Sequence, residues 1–288
     1  MNAPSWLAWL PLKRFRNPPP VVHVVRLSGM IGGVGPWRRG LNMSGLAGTL
    51  QRAFRRKRLA AVALVINSPG GSAVQSALIA RRIRALADEH EVPVFAFAED
   101  VAASGGYWLA TAADEIYADP ASIIGSIGVV SSAFGFPELL KRSGIERRLH
   151  AAGESKASLD PFSEQKEEDI AHLRVFLEEV HEHFRHQVRE RRHGKLKGDE
   201  AILFSGRWWS GSKALELGLI DGLGDIRSVM RARYGNNVKL KVIGESKSWW
   251  MRRMGLRTNP PVRTEPIEVA QDVIAAVEER LIWNRFGL

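Results

Sequence analysis

The chain has 288 residues, of which 45% are hydrophobic and 25% charged, and this ordinary globular composition excludes a disordered or low-complexity protein. It contains no cysteine, which excludes disulfides, thiolate metal sites and cysteine nucleophiles. Its 41 Lys and Arg residues exceed its 31 Asp and Glu residues and give a net charge of +10. This excess indicates either an acidic partner, which would be an anionic membrane surface or nucleic acid, or a solvated basic face.

Residues 1–20 form an N-terminal extension. The stretch SWLAWLPLKRFRN within it is broken by Pro11 and carries its positive charges after the apolar part, which is the reverse of a signal peptide. No stretch of the chain reaches the roughly 18 to 20 apolar residues that cross a bilayer, so no transmembrane helix is predicted. The extension either lies on a membrane surface or is a packed or disordered terminus.

Strands and helices alternate from residue 21 to about residue 150. Short apolar or β-branched runs predict strands at 21–29, 60–66, 92–98, 115–118, 122–130 and 146–150. Helical spacing predicts helices at 44–57 and 72–88, and further helices that begin near 104 and 137. This alternation indicates an α/β fold with a largely parallel sheet flanked by helices.

A long helix is predicted after Pro161, with Ser163 as its cap and an apolar stripe that ends at Val188. It carries His172, His181, His183 and His186. These histidines either bind a metal or are solvated. Because no pair of them has the i,i+4 spacing of a helical histidine pair, the solvated interpretation is favoured and no metal is expected.

The C-terminal part begins with a turn-rich stretch at 204–225 and a predicted strand at 238–243. Prolines at 260, 261 and 266 mark 244–266 as a linker. Residues 267–288 are predicted to form an amphipathic helix with an apolar stripe. That stripe packs either on the core of its own chain or on another protomer.

Two glycine-rich turns follow predicted strands and precede predicted helices. The first, NSPGGS at 67–72, places Gly70 and Gly71 where backbone N–H groups hold an anionic oxygen, although a purely structural turn is the alternative. The second places Ser104 before Gly105 and Gly106, at the edge of the sheet where α/β proteins put their sites. Ser104 is therefore either a helix cap or a nucleophile.

A serine nucleophile needs a base, because an unassisted hydroxyl reacts weakly at neutral pH. No histidine lies in a glycine-rich loop, which argues against a Ser/His/Asp triad. Lysine is the other choice, since burial among apolar neighbours favours its neutral form. Lys156, which has Ala157 and Leu159 nearby, is the candidate, and an ordinary ion pair with Glu154 is the alternative.

Four sequence blocks together resemble the signal peptide peptidase A family of Ser/Lys serine peptidases. The resemblance covers roughly residues 21–243, which would form a single peptidase domain. The family has the fold of the Clp protease and crotonase group. The blocks are NSPGG at 67–71, ASGGYW with AADEIYADPASIIGSIGVV at 103–130, GESKASLDPF at 153–162, and GRWWSGSKALELGLIDGLG at 206–224.

The resemblance implies a role for each matching residue. Ser104 would be the nucleophile, Lys156 the general base, and Ser126 the hydroxyl that orients the lysine. The N–H groups of Gly71 and Gly105 would form the oxyanion hole. An extended peptide would pair with residues 122–130 as an edge strand. The substrate-binding residues would be Gly70, Ile124, Gly125, Ile127 and Gly128. No cofactor is required.

The resemblance also implies partners and a location. Substrates would be hydrophobic peptides such as signal peptide remnants, and the site would be shared between protomers of a homo-oligomer. Family members usually carry an N-terminal membrane-spanning helix, and none is predicted from this sequence. The expected location is therefore cytoplasmic, with peripheral contact at the inner face of an anionic membrane and no nucleic acid partner. A crotonase-like acyl-CoA enzyme and a catalytically silent assembly protein of the same fold are the alternatives.

Overall fold

The structure, a computed structural model, describes residues 18–32, 40–56, 58–153, 155–244, 277 and 280–287. The strands in these residues are β1 (Val21–Ser28), β2 (Leu59–Ser68), β3 (Val94–Ala103), β4 (Glu115–Ala118), β5 (Ile123–Gly125), β6 (Trp208–Ser210), β7 (Gly222–Leu223) and β8 (Lys239–Val242). The helices are α1 (Met43–Phe54), α2 (Ala73–His90), α3 (Gly105–Ala110), α4 (Pro137–Arg142), α5 (Glu167–Arg191), α6 (Glu200–Leu203), α7 (Gly211–Glu216) and α8 (Ile226–Tyr234).

The strands form one sheet in the order β6-β5-β3-β2-β1-β8, and β4 lies between β3 and β7. Every strand pair in the described residues is parallel except β5 with β6. Helices cover the sheet, so the predicted α/β fold with a largely parallel sheet flanked by helices is confirmed.

The central strands are apolar along their whole length because both of their faces are buried. On one face, Leu27 and Leu64 pack with Phe54 of α1 and Ile83 of α2. The opposite face is covered by Met230 of α8 and its neighbours. In parallel strands of this kind, all carboxyl ends lie at the same edge, and that edge carries the loops after β1, β2 and β3.

Two strand predictions need correction. Residues 146–150 are exposed and irregular, since this charged stretch pairs with none of the described strands. Of the strand predicted at 122–130, only Ile123–Gly125 forms. It ends there because Gly125 has φ 110° and Ser126 has φ 52°, in the left-handed region that extended strands do not enter.

The long helix also begins later than predicted. Its cap position is Lys166, whereas the Ser163 hydroxyl donates to Asp160 Oδ2 at 2.7 Å and so stabilises the preceding turn. Of its apolar stripe, only Phe184 and Val188 are buried, and Phe184 stacks on Trp108 with ring centroids 4.7 Å apart.

The predictions for the two termini fall largely outside the described residues. These are the extension up to residue 17, the linker from 245 to 266, and most of the C-terminal helix. Of its apolar stripe, Val277 and Leu281 are exposed, while the following Phe286 packs on Val101 and Ala103 of β3. Among the helices that can be described, none is both long and apolar enough to cross a membrane.

Candidate active site

Ser104 lies at the carboxyl end of β3, where the chain turns directly into α3. Its φ of 51° and ψ of −122° are unusual for a residue with a side chain, and its hydroxyl forms no capping hydrogen bond. Backbone conformations of this kind cost about 1 to 3 kcal/mol and persist only where the surroundings impose them. Here the Ser104 N–H donates to Gly125 O at 2.8 Å, and Ser104 O accepts from Trp108 N at 3.0 Å.

Helix α3 holds this turn in place because all six of its residues are buried. The Tyr107 hydroxyl donates to Leu219 O at 2.7 Å. Burial raises the pKa of Tyr107, so the phenol stays protonated and keeps donating. The hydrogen bond from Tyr107 to Leu219 therefore fixes the helix that directly follows Ser104.

The loop after β2 packs against Ser104 through two glycines. A Cβ added to Gly70 would lie 2.7 Å from Ser104 Cβ and 2.9 Å from Gly105 N. One added to Gly71 would lie 2.0 Å from Ile31 O. Both glycines have positive φ, 106° and 137°, so the conformation and the close approach each require a residue without a side chain.

Ile31 and Ser76 pack against the two loops of the site, and the sequence analysis did not identify them. Ile31 N donates to Gly70 O at 2.8 Å and Ile31 O accepts from Ser72 N at 2.7 Å, which fixes the glycine loop from the side of β1. Ser76 lies on the other side, since a Cβ on Gly105 would come within 2.5 Å of its Oγ. For these two residues, the one feature of the sequence that pointed to the site was the position of Ile31 just after a predicted strand.

Two backbone amides beside Ser104 are available to a ligand. The N–H groups of Gly71 and Gly105 have no acceptor among the described residues. They are close neighbours, because a Cβ on Gly105 would lie 3.4 Å from Gly71 N. Paired amides next to a hydroxyl are the arrangement that stabilises the oxyanion of an acyl-transfer reaction.

Ser126 joins this cluster through the backbone. It follows Gly125, whose carbonyl binds Ser104 N–H, and its own N–H donates to Arg207 O at 2.7 Å. The residue is buried, with 4% of its surface exposed. The structure therefore brings Gly70, Gly71, Ser104, Gly105 and Ser126 to one edge of the sheet.

The expectation that 122–130 is an edge strand is wrong for its first part. Strand β5 lies between β3 and the antiparallel β6, with Ile124 opposite Trp209. The Trp209 ring covers Gly125 so closely that a Cβ there would lie 2.8 Å from it. Ile124 and Ile127 are fully buried, and Gly128 is half-buried.

Lys156 is not brought to Ser104 within the single chain. It is exposed, in a turn where its N–H donates to Gly153 O at 3.2 Å. No described hydrogen bond joins it to Ser104 or Ser126, and Glu154 lies outside the described residues. Lys156 belongs to residues 129–166, which we call the arm, and no described residue of the arm is buried.

The arm is held together mainly by its own contacts. The Phe136 ring packs on Phe134 and Phe162, with centroids 6.3 and 5.7 Å away. Arg147 lies 4.9 Å above the Phe162 ring and forms an ion pair with Asp160. These contacts place Lys156 on a small unit that is stabilised from within and is exposed.

The histidines of α5 show no metal cluster. His181 is half-buried, with Nε2 3.2 Å from Ile127 O, while His172, His183 and His186 are exposed. Within the described ranges, no group of three or more His, Asp or Glu residues is placed to hold a metal ion.

Comparisons with known proteins connect this geometry to a family. Residues 87–239, which are 153 of the 288 residues, match peptidase family S49. The match includes Ser104, Ser126 and Lys156 but begins after Gly70 and Gly71.

Individual relatives are similar to the chain over different lengths. The Na⁺/H⁺ antiporter NhaA of Brucella abortus is 50% identical over 291 residues, which cover 99% of this chain and 39% of the antiporter. The chloroplastic serine protease SPPA of Arabidopsis thaliana is 33% identical over 186 residues, 64% of this chain and 27% of that protein. Among solved structures, a membrane-bound stomatin-specific protease is 15% identical with a TM-score of 0.46, and the similarity covers 79% of this chain and 99% of that one.

The chain thus spans less than half of the length of these two curated relatives. The family match covers more than half of the chain. The chain therefore belongs to peptidase family S49.

Proposed function

We propose that this chain is a serine endopeptidase that cleaves unstructured, hydrophobic peptides, such as signal peptide remnants, with Ser104 as its nucleophile. The observation that carries this proposal is the Ser104 turn. A serine is held in a strained backbone conformation, without a capping bond, beside the N–H groups of Gly71 and Gly105, which have no acceptor within the described ranges. The name of the plant relative, a serine protease, supports the same reaction.

The reaction follows from the groups at this site. A neutral Lys156 amine removes the Ser104 hydroxyl proton while Oγ attacks the peptide carbonyl carbon. The Gly71 and Gly105 amides stabilise the negative oxygen that forms. The protonated amine then gives its proton to the leaving nitrogen, the C–N bond breaks, and water hydrolyses the ester on Ser104 with Lys156 again as the base.

We propose that Lys156 reaches Ser104 from a neighbouring copy of the chain. In one chain it is exposed, on an arm that buries none of its described residues. The arm also exposes Phe134, Leu139 and Ile145, by 70%, 59% and 59%. Seating these side chains on a second protomer would remove apolar area from water, and burial of Lys156 would favour the neutral form that a base requires. Ser126 would orient the lysine. It follows Gly125, whose carbonyl accepts a hydrogen bond from Ser104 N–H.

The substrate would be bound mainly through its backbone. Both edges of β5 are occupied, so an extended peptide would pair with the segment that begins at Gly128, where no strand is formed and Val130 is 71% exposed. Gly70 would contact the same peptide from the opposite side of Ser104. The net charge of +10 supports a peripheral contact with an anionic membrane, the source of such peptides.

The test is cleavage of a fluorogenic, leucine-rich peptide by wild type, Ser104→Ala, Lys156→Ala, and an equimolar mixture of the two variants. We expect each variant to lose at least about 10³-fold in rate, as serine peptidases do without their nucleophile or base. The mixture should recover activity after subunit exchange, because a quarter of the shared sites would hold an intact Ser104 and an intact Lys156. Lys141→Ala, an exposed lysine on the same arm, is the matched control and should cleave like wild type.

Other outcomes separate the alternatives. Loss in both variants without recovery in the mixture would place the lysine in the same chain as its serine. Undiminished peptide cleavage by Ser104→Ala would exclude Ser104 as the nucleophile. An acyl-CoA enzyme that uses only the two amides would cleave no peptide and would keep its activity on an acyl-CoA substrate in Ser104→Ala. Absence of cleavage and of covalent Ser104 labelling in the wild type would favour the assembly protein.

A further inference from the structure

Helix α5 contacts the candidate site through one histidine. His181 Nε2 lies 3.2 Å from Ile127 O, and the His181 side chain is 18% exposed, whereas the other three histidines of the helix are exposed. A carbonyl oxygen only accepts, so Nε2 carries a proton and donates it to this bond. His181 therefore has a specific partner, and that partner is the residue that directly follows Ser126.

The part of α5 that carries His181 is fixed to α3. Phe184, three residues after His181, is buried and stacks on Trp108 of α3 with ring centroids 4.7 Å apart. Helix α3 begins directly after Ser104. His181 is thus held at a defined position relative to Ser104, and its bond to Ile127 fixes the next part of the site relative to the same helix.

The carbonyl oxygen of Ile127 has its full number of donors. It accepts from Gly206 N at 3.0 Å as well as from His181, and a carbonyl oxygen has two lone pairs. In a trans peptide bond the N–H of the next residue points away from the carbonyl oxygen. The N–H of Gly128 therefore points away from both Gly206 and His181.

This N–H group is available to a ligand. It has no acceptor among the described residues, and Gly128 is half-buried. From Gly128 to Gly135, the backbone forms no hydrogen bond with another described backbone group. Ile127 is thus the last residue with such bonds before the segment along which an extended peptide would lie.

The orientation of the Gly128 N–H depends on the two bonds to Ile127 O. Glycine adopts negative and positive φ with similar ease, so the peptide plane between Ile127 and Gly128 can rotate unless its carbonyl is held. Gly206 holds the carbonyl from the side of the chain that leads into β6, and His181 holds it from the side of α5. Without His181, one of the two bonds that fix this plane is lost.

We propose that His181 is a positioning residue for substrate binding, which holds the Ile127–Gly128 peptide plane so that Gly128 N–H donates to a backbone carbonyl of the bound peptide. This role rests on the proposed function, in which the peptide pairs with the segment that begins at Gly128. It belongs to binding and not to the chemical step, because the reaction at Ser104 uses neither His181 nor Gly128.

The test is equilibrium binding of a fluorescent, leucine-rich peptide to the full-length Ser104→Ala variant, measured by fluorescence anisotropy. Adding His181→Ala should weaken the affinity about three- to tenfold, as expected for the loss of one hydrogen bond. Adding His181→Gln should restore it, since the Gln amide nitrogen is as many bonds from Cα as His Nε2 is. The shorter His181→Asn should not. The matched control is His183→Ala, an exposed histidine of the same helix, which should bind like Ser104→Ala alone.

Kinetics of the chain with Ser104 intact give a second readout. His181→Ala should raise KM by the same factor with little change in kcat, because the bond to Gly128 is made in the ground state and the transition state alike. The role of His181 is overturned if the peptide does not bind to Ser104→Ala, if His181→Ala binds it as tightly, if His183→Ala weakens binding equally, or if the Gln and Asn variants behave alike. Peptide binding that depends on His181 in a wild type that does not cleave would support this role and contradict the peptidase reaction alone.

Discussion

The α-carbon of Gly70 faces Ser104 so closely that a methyl group on Gly70 would lie 2.7 Å from Ser104 Cβ. The two residues belong to the loops after β2 and β3, which are parallel neighbours in the sheet and have Ser68 in register with Ala102. The contact therefore joins two loops at the carboxyl edge of the sheet. It makes the position of Ser104 depend on the absence of a side chain at residue 70.

We expect Gly70→Ala to slow the covalent labelling of Ser104 by a fluorophosphonate about 100-fold or more, because the added methyl group displaces the serine from its reactive position. The matched control is Gly235→Ala. Gly235 also has positive φ, 87°, but nothing lies within 4 Å of its added Cβ. Both variants should lose stability through backbone strain, and only Gly70→Ala should lose reactivity. Labelling of Gly70→Ala at the wild-type rate would show that the contact does not position Ser104.

The strained backbone of Ser104 predicts an unusual order of stability among its variants. Ser104→Gly should be more stable than Ser104→Ala by about 1 kcal/mol, since glycine adopts φ 51° without strain and alanine does not. Both should be inactive. Chemical denaturation measures the difference. Ser143, at φ −82°, is the control position, where Ser143→Gly should be less stable than Ser143→Ala. An equal or lower stability of Ser104→Gly would mean that the turn is not strained.

The features that the sequence predicted depend on neighbouring residues, whereas those that it did not predict depend on contacts between distant parts of the chain. The β2 strand and the glycine loop after it depend on neighbouring residues, so the apolar run and the Pro-Gly-Gly sequence were sufficient to predict them. The pairing of Ile124 with Trp209, and the contact of Ile31 with Gly71, join distant parts of the chain and have no local signature. For Lys156 the limit is different: it is exposed and its described hydrogen bond stays within the arm, so no described hydrogen bond indicates where it acts.

A buried ion pair between Arg192 and Asp221 should dominate the stability of the region around β4. Arg192 is 2% exposed and donates to Asp221 Oδ2 at 2.6 Å and twice to Gly218 O. Asp221 also accepts from Ile116 N and pairs with Lys195. We expect Arg192→Met to lower the free energy of unfolding at pH 7 by about 3 to 5 kcal/mol. Lys213→Met, which removes the exposed pair with Glu216, should cost less than about 1 kcal/mol.

The effect of Arg192→Met should depend on pH. Burial alone raises the pKa of Asp221, but the hydrogen bonds from Arg192 and Lys195 outweigh it, so the pKa lies below its ordinary value. A depressed pKa gives stability that is present above the unfolded-state pKa of about 3.9 and is lost as pH falls through the folded-state value. Urea denaturation at pH 7 and at successively lower pH should therefore show the difference between wild type and variant shrinking below about pH 4. A difference that stays constant with pH would exclude an ionic origin.

The exposed apolar side chains of the arm lead to a prediction about assembly. Leu139→Asp combined with Ile145→Asp should abolish oligomers in sedimentation velocity and should abolish peptide cleavage with them, because charges would be buried without partners at the interface. The free energy of unfolding of the isolated chain should stay nearly unchanged, since both side chains are already 59% exposed. Val242→Asp is the matched control, a similarly exposed apolar residue outside the arm, and should leave assembly intact. If the arm variant keeps its wild-type mass and cleaves at the wild-type rate, the arm does not carry Lys156 to a neighbouring chain.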